Sequence, residues 1–374
     1  MNTVDIAVRA LAFAAGLGIV GFTIASAVRT TILPRAYPVR IARVVFLSVR
    51  FVLTLRAGRS APYERRDRVL ALYGPISLLL LLIAWITLIL TGFALMFWAL
   101  GDLSPGQAFR ISGSSVTTLG TRQAPDLVRA SMSYLEATFG LILLALLITY
   151  LPSIYGAFSR REQLVTALEV RAGSPPSGTE MIWRFGVLER VEKLTETWER
   201  WEDWFVEVEE SHSSFPALVT FRSPQPDHSW VTAAGAVLDG AALLLSSVDV
   251  PRDVQAEIMI RSGYLTLRRI ASFFQIPFDP DPDPDDPISV RREEYEAARE
   301  RFAEAGLPLK PDPDQGWRDF AGWRVNYDAV LLGLANLTMA PEAPWSSDRM
   351  GDRIHRPPVF RQSPRTGRDR PRST

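Results

Sequence analysis

The chain has 374 residues, 47% of them hydrophobic, with no cysteine, three histidines and a formal net charge of zero. That composition excludes a disulfide framework, a thiolate metal site and a cysteine nucleophile, and the balanced charge gives no ground for nucleic acid as a partner. Apolar residues crowd the stretch before Arg160-Arg161, so a membrane-embedded part followed by a more polar part is expected.

In chain order, the first uncharged run is ALAFAAGLGIVGFTIASAV, Ala10 to Val28, read as an N-terminal span within residues 1–28. Ala25-Ser26-Ala27 imitates a signal-cleavage site. The basic stretch beyond it argues for an uncleaved helix. Residues 29–69 carry Arg29, Arg35, Arg40, Arg43, Arg50, Arg56, Arg59, Arg65, Arg66 and Arg68 against only Glu64 and Asp67. Short loops this basic stay in the cytoplasm, which sets the N-terminus outside and the first span running inward. Inside this loop, IARVVFLSVRFVLTL (41–55) is apolar, with Arg43 and Arg50 a heptad apart. Two readings stand for it. It lies along the inner leaflet with its arginines on anionic lipid headgroups, or it packs on the cytoplasmic domain.

No charge occurs between Arg68 and Asp102, and PISLLLLLIAWITLILTGFALMFWAL (75–100) exceeds the roughly 20 apolar residues that cross a bilayer core. Trp85 and Trp98 suit interfacial anchoring of this second span. A third uncharged run, ATFGLILLALLITYLPSIYGAFS (137–159), ends at Arg160-Arg161. It contains Gly140 and Pro152. A proline inside a helix removes a hydrogen bond and favours a kink; the other reading is that Pro152 ends the span at the membrane surface.

Between the second and third spans, Ser104-Pro105-Gly106-Gln107 reads as a helix start: serine at the N-cap, proline at the first position, glutamine three residues after the cap. The helix then runs into SGSSVTTLGTRQ (112–123), and Thr-Thr-Leu-Gly-Thr fits neither membrane helix nor barrel strand. Irregular backbone at membrane depth persists only where protein buries it or water lines it, so a re-entrant helix and loop are expected.

Over roughly residues 70–158, this order of outer helix, short capped helix, Thr-Thr-x-Gly and inner helix resembles the pore domain of tetrameric potassium channels. The resemblance implies a homotetramer around one axis, with filter carbonyls replacing the hydration shell of a permeant ion. Thr118, Leu119 and Gly120 stand where the family has Thr-Val-Gly, and Thr117 where it has a small residue or threonine. Thr118 would face the inner cavity with hydroxyl and carbonyl, and the short helix would aim its partially negative C-terminus, near Val116, at that cavity. The sequence departs from the family pattern where Thr121 replaces an aromatic residue and Arg122 replaces the second glycine. The expected filter and ion-binding residues are therefore Thr117, Thr118, Leu119, Gly120 and Thr121. Arg122 lies at the outer mouth, with Asp126 a candidate to neutralise it, and Gly140 and Pro152 are the gating candidates. No metal beyond the permeant ions, and no cofactor, is expected.

Residues 159–340 read as an all-α cytoplasmic domain. Leu188, Val191, Leu194, Trp198, Trp201, Phe205 and Val208 recur at three- and four-residue spacing, a seam for the core or for a subunit contact. SWVTAAGAVLDGAALLLSSVDV (229–250) is apolar enough to imitate a fourth span, but Asp239 at its centre favours a buried helix of the soluble domain. Helices are also expected over 252–275 and 288–305. FDPDPDPDDP (278–287) reads as an extended connector rather than a calcium loop, and 341–374 as a disordered tail. No glycine-rich phosphate loop, GxSxG or HExxH motif occurs, so no enzymatic activity is expected.

The expected whole is an all-α membrane protein of the bacterial inner membrane: three transmembrane helices, a re-entrant pore helix and filter loop between the second and third, and a helical cytoplasmic domain. Its expected function is passive, gated flow of monovalent cations, potassium foremost. The alternative is a non-conducting scaffold that kept the pore fold and binds a partner through its cytoplasmic domain.

Overall fold

The computed structural model describes residues 3–32, 39–58, 62–122 and 125–349, and over these the chain is helical, with one isolated β-bridge between Val248 and Leu309. Two compact units emerge: Met1–Gln163 with Glu210–Pro226, and Leu164–Glu209 with Asp227–Thr374. Four helices are long and apolar enough to cross a membrane: Thr3–Thr31, Tyr63–Ala99, Leu127–Ala172 and Trp230–Ser247. By length and composition the chain is thus a membrane protein.

The first unit is built on α1 (Thr3–Thr31) and α4 (Tyr73–Ala99), which run antiparallel. Arg9 at one end of α1 donates to the Trp98 carbonyl (3.2 Å), and Trp85 Nε1 donates to Ser26 Oγ (3.1 Å) at the other. Between these points the backbones nearly touch: a Cβ on Gly16 would lie 2.5 Å from the Gly92 carbonyl oxygen. Small residues permit this approach, which drives helix association where lipid offers no hydrophobic contrast.

α2 (Arg40–Ala57) packs on α4, burying Ile41, Val49 and Leu53 and setting Phe46 edge-on to Tyr73 with centroids 5.9 Å apart. Residues 41–55 thus rest on α4, a helix of their own unit. A short α3 (Tyr63–Leu70) leads into α4, and its Asp67 pairs with Arg222 at 2.8 Å.

α5 (Pro105–Val116) and α6 (Leu127–Ala172) come next. α6 runs 46 residues without interruption, carrying Pro152 in its interior, and belongs to the first unit up to Gln163. Pro152 therefore does not end the helix. Close to it, Tyr150 packs edge-on to Phe215 (5.3 Å), and the buried Arg161 donates to the carbonyls of Leu218 (2.9 Å) and Phe221 (2.7 Å).

In the second unit, α9 (Trp230–Ser247) is the central helix. The most apolar stretch of α9 is 94% buried, against 28%, 33% and 28% for the other three candidates, so it has no surface left for lipid. Asp239 explains its place. Arg324 donates to the Asp239 carboxylate at 2.5 Å and to Asp328 at 2.7 Å, and Tyr327 donates to Asp239 at 2.9 Å. A carboxylate buried with such partners suits a protein core, and one alone at the centre of a bilayer does not.

Around α9 stand α7 (Gly178–Val187), α8 (Leu194–Ser214), α10 (Val254–Phe273), α11 (Arg292–Glu304), α12 (Pro313–Arg324) and α13 (Asp328–Thr338). The aromatic seam begins at Leu194, not Leu188: Leu188 is 67% exposed and Val191 sits in a 3-10 turn, while Trp198, Trp201, Phe205 and Val208 are buried in this unit's core. The Asp-Pro stretch is not an extended spacer. Asp279 and Asp283 accept from the backbone two residues on, at 3.0 Å each, and Asp286 N donates to the Asp283 carbonyl at 2.9 Å, closing a turn. Residues 341–349, assigned to a disordered tail by composition, instead pack, with Ala343 and Ser346 buried and a 3-10 turn at Ser347–Arg349; residues 350–374 lie outside the described residues.

Candidate functional site

The segment singled out by sequence, residues 104–126, sits between α4 and α6. α5 starts as the Ser104-x-x-Gln107 spacing predicts: Gln107 N donates to Ser104 Oγ (3.3 Å) and Ser104 N to Gln107 Oε1 (2.9 Å). Its inner face buries Ala108, Ile111 and Val116 with Leu81, Trp85, Phe93 and Phe97 of α4 and Leu143 of α6. One polar bolt crosses this apolar seat. Ser112 Oγ bonds the Leu90 carbonyl (2.8 Å) and the fully buried Glu136 carboxyl of α6. The second oxygen of Glu136 has no hydrogen-bond partner among the described residues. Glu136 escaped the sequence reading because it lies one residue before the uncharged run of the third span; its one signal was being the last charge ahead of that run.

At the other end of α5, Thr118 N donates to the Ser115 carbonyl and Leu119 N to that of Ser114, both at 3.0 Å, with Thr118 in the left-handed region at φ 57°. This is a Schellman cap with threonine where glycine is usual. The loop is then folded back onto the helix: Arg122 N donates to Ser114 Oγ (3.2 Å), and Thr121 Oγ1 does so at 3.3 Å. The Thr118 hydroxyl donates to the Thr117 carbonyl (2.7 Å), and the Thr117 hydroxyl to Gly113 (2.6 Å). The sequence expectation had the Thr118 hydroxyl facing the cavity. In the left-handed conformation that hydroxyl donates to the preceding carbonyl. The carbonyls of Thr118, Leu119 and Gly120 accept no hydrogen bond among the described residues, and Thr117 through Arg122 are all exposed.

Arg122 and Asp126 do not meet as a pair. Asp126 accepts from Arg129 N (2.9 Å) and from the Arg129 guanidinium, which also donates to the carbonyls of Leu100 (3.1 Å) and Gly101 (2.7 Å) at the end of α4. Those bonds, the Arg129 backbone N–H first, hold the Asp126 carboxyl below its ordinary range. Asp126 caps the first turn of α6, and Arg122 has no ion-pair partner among the described residues.

Gly140 has a packing role: a Cβ there would lie 2.4 Å from the Val116 carbonyl oxygen, so α6 passes the last turn of α5 with only hydrogen between them. Pro152 is exposed, and lacking an N–H it leaves the Ile148 carbonyl without its helical donor.

Elsewhere, the second unit holds a cleft of about 630 Å³ between the end of α9, the Val250–Asp253 loop and α12. Its cations are already engaged: Lys310 on the Leu245 carbonyl (2.5 Å), Arg252 on Glu257 (2.7 Å), Arg318 on Gln315 (2.7 Å). Among the described residues no cluster of three or more His, Asp or Glu is placed to hold a metal ion. No family model, curated protein or solved structure matches the chain.

Proposed function

We propose that this chain forms a homotetrameric membrane pore in which α5 is the pore helix and residues Thr117–Thr121 pass monovalent cations, potassium foremost. One observation carries the reading: the open carbonyls of Thr118, Leu119 and Gly120 stand together at the C-terminal end of a helix braced by α4 and α6. Carbonyl oxygens substitute for the hydration shell of a cation, and the helix end adds about half a negative charge. One chain cannot surround an ion, and four copies around an axis can. In this reading the N-terminus is outside, the arginine-rich segment and the second unit are cytoplasmic in a bacterial inner membrane, and α6 lines the inner pore with Pro152 as its point of flexure.

One observation favours a second reading. Arg122, exposed beside the loop and without an ion-pair partner among the described residues, would place four positive charges at one mouth and oppose cation entry. A non-conducting scaffold has no need to remove them.

Reversal potentials of the purified protein in planar bilayers, under separate potassium, sodium and chloride gradients, test the proposal. Reversal tracking potassium supports it. Reversal tracking chloride overturns the cation reading and makes the arginine ring the selector, and silence from an intact tetramer favours the scaffold.

A further inference from the structure

α2 has three faces, each about 100° from the next on a helical wheel. Residues 42, 49 and 53 (Ala, Val, Leu) form the packed stripe: Ala42 joins the core built on α4, and Val49 and Leu53 are buried. The stripe one residue on, at 43, 50 and 54, is Arg, Arg and Thr, with Arg43 and Thr54 exposed. The stripe after that, at 44, 51 and 55, is Val, Phe and Leu, and these three are 63%, 66% and 67% exposed. Val52, 58% exposed, borders it. α2 contains no acidic residue, and Arg40, Arg43 and Arg56 are all exposed.

We infer that α2 lies in the headgroup layer of the bilayer, with Val44, Phe51 and Leu55 in the acyl boundary and Arg40, Arg43 and Arg56 on anionic lipid headgroups. A large apolar residue facing water along three turns of a helix is costly, at roughly 25 cal/mol per Å² of apolar surface. An interfacial helix sinks such a face about 5–10 Å into the headgroup and acyl boundary. The level fits. Phe46 packs on Tyr73, the residue that opens α4 just ahead of its apolar run, so the middle of α2 sits where the spanning helix leaves the hydrocarbon. The charge fits one class of lipid. Arginines near an anionic leaflet are held by its negative surface potential, and the only acids between Arg29 and Arg68 are Glu64 and Asp67, the latter already paired with Arg222. The inference rests on the membrane assignment and not on conduction.

The natural absence of cysteine makes the test direct. Val44→Cys, Phe51→Cys, Leu55→Cys and Thr54→Cys are each labelled with a nitroxide in the full chain, reconstituted in nanodiscs of phosphatidylcholine with phosphatidylglycerol. Accessibility to oxygen and to a water-soluble nickel chelate is then compared, with Ile83→Cys on the exposed face of α4 as the bilayer reference. Labels at 44, 51 and 55 are expected to favour oxygen as Ile83→Cys does, and the label at 54 to favour nickel. Nickel access at 44, 51 and 55 equal to that at 54 overturns the inference. Protection from both reagents, with spin–spin coupling between copies, overturns it in favour of a second copy covering this face. Nickel access at Ile83→Cys overturns the membrane assignment and the inference with it. For the headgroup, phosphatidylglycerol is expected to raise the melting temperature of the unsubstituted protein, and the triple variant Arg40→Gln, Arg43→Gln, Arg56→Gln to lose most of that shift. An unchanged shift overturns the anionic preference.

Discussion

Two glycines near the candidate filter separate fold from function at the scale of single residues. Gly140 has the Val116 carbonyl where a Cβ would stand, and Gly120 has open space but a φ of +68°. Gly140→Ala therefore forces α5 and α6 apart, at about 1–3 kcal/mol for overpacking, and a lowered melting temperature in detergent, with loss of the proposed tetramer on size-exclusion, is the expected result. Gly120→Ala costs about 1–2 kcal/mol of left-handed strain confined to the loop, so under the proposed function the fold should survive while cation flux in liposomes falls. A Gly120→Ala protein with full flux would remove the loop from the conduction path. The buried ion pair in the second unit gives a further single-residue test. Burial pushes the Asp239 carboxyl above its ordinary range, with Arg324 opposing. Removing one partner of such a pair costs about 3–5 kcal/mol. Arg324→Met should thus destabilise by that order in chemical unfolding, and adding Asp239→Asn should recover part of it. A full additive loss would mean the two side chains do not act as a pair.

At the scale of elements, the α1–α4 seam weighs backbone approach against a hydrogen bond. Interhelical hydrogen bonds in membranes average about 0.6 kcal/mol, so Ser26→Ala, which removes the acceptor of Trp85, should lower the melting temperature only slightly. Gly92→Leu drives a side chain into Val20 and the Gly16 carbonyl, 2.7 and 2.9 Å from the Cβ position, and should lower it far more. Equal effects would show that the seam does not depend on close backbones. The same elements show what a sequence can reveal. The long spans were legible because a bilayer demands length and apolarity that few other structures share, and α9 was sorted from them by Asp239 alone. The start of α5 was legible because its cap is local in sequence. Its other end was not: the Schellman cap with Thr118 in the glycine position, the Ser114 bonds to the loop and the Ser112–Glu136 contact each depend on neighbours or on α6, which no local pattern encodes. Asp126 was drawn to Arg122 by proximity in sequence, and a helix cap reaching Arg129 outcompeted it. Leu188 and Val191 kept the right spacing and missed the helix, because periodicity does not mark where a helix begins.

For the molecule as a whole, pH offers a reading of how the second unit is held together. Burial works against ionisation of Glu180, yet the guanidiniums of Arg301 and Arg184, both 2.8 Å away, hold its carboxyl below the ordinary range. Glu294, with Arg349 at 2.6 Å, and Glu257, with Arg252, are held low in the same way. These bonds tie α7 to α11, and α11 to the segment beyond α13. A carboxyl whose folded pKa is depressed binds protons more readily in the unfolded chain. Its contribution is fully present above the unfolded value, about 4.3 for glutamate, and is lost as pH falls through the lowered folded value. The stability these three glutamates contribute should be constant above about pH 5 and be lost on acidification below the ordinary glutamate range. Glu180→Gln isolates one contribution, since glutamine keeps the shape and cannot titrate. It should lower the melting temperature at neutral pH and converge with the unsubstituted protein in acid. Two parallel curves across the whole range would show that Arg184 and Arg301 add no charge-dependent stability through Glu180, and that the link between α7 and α11 is carried by apolar packing.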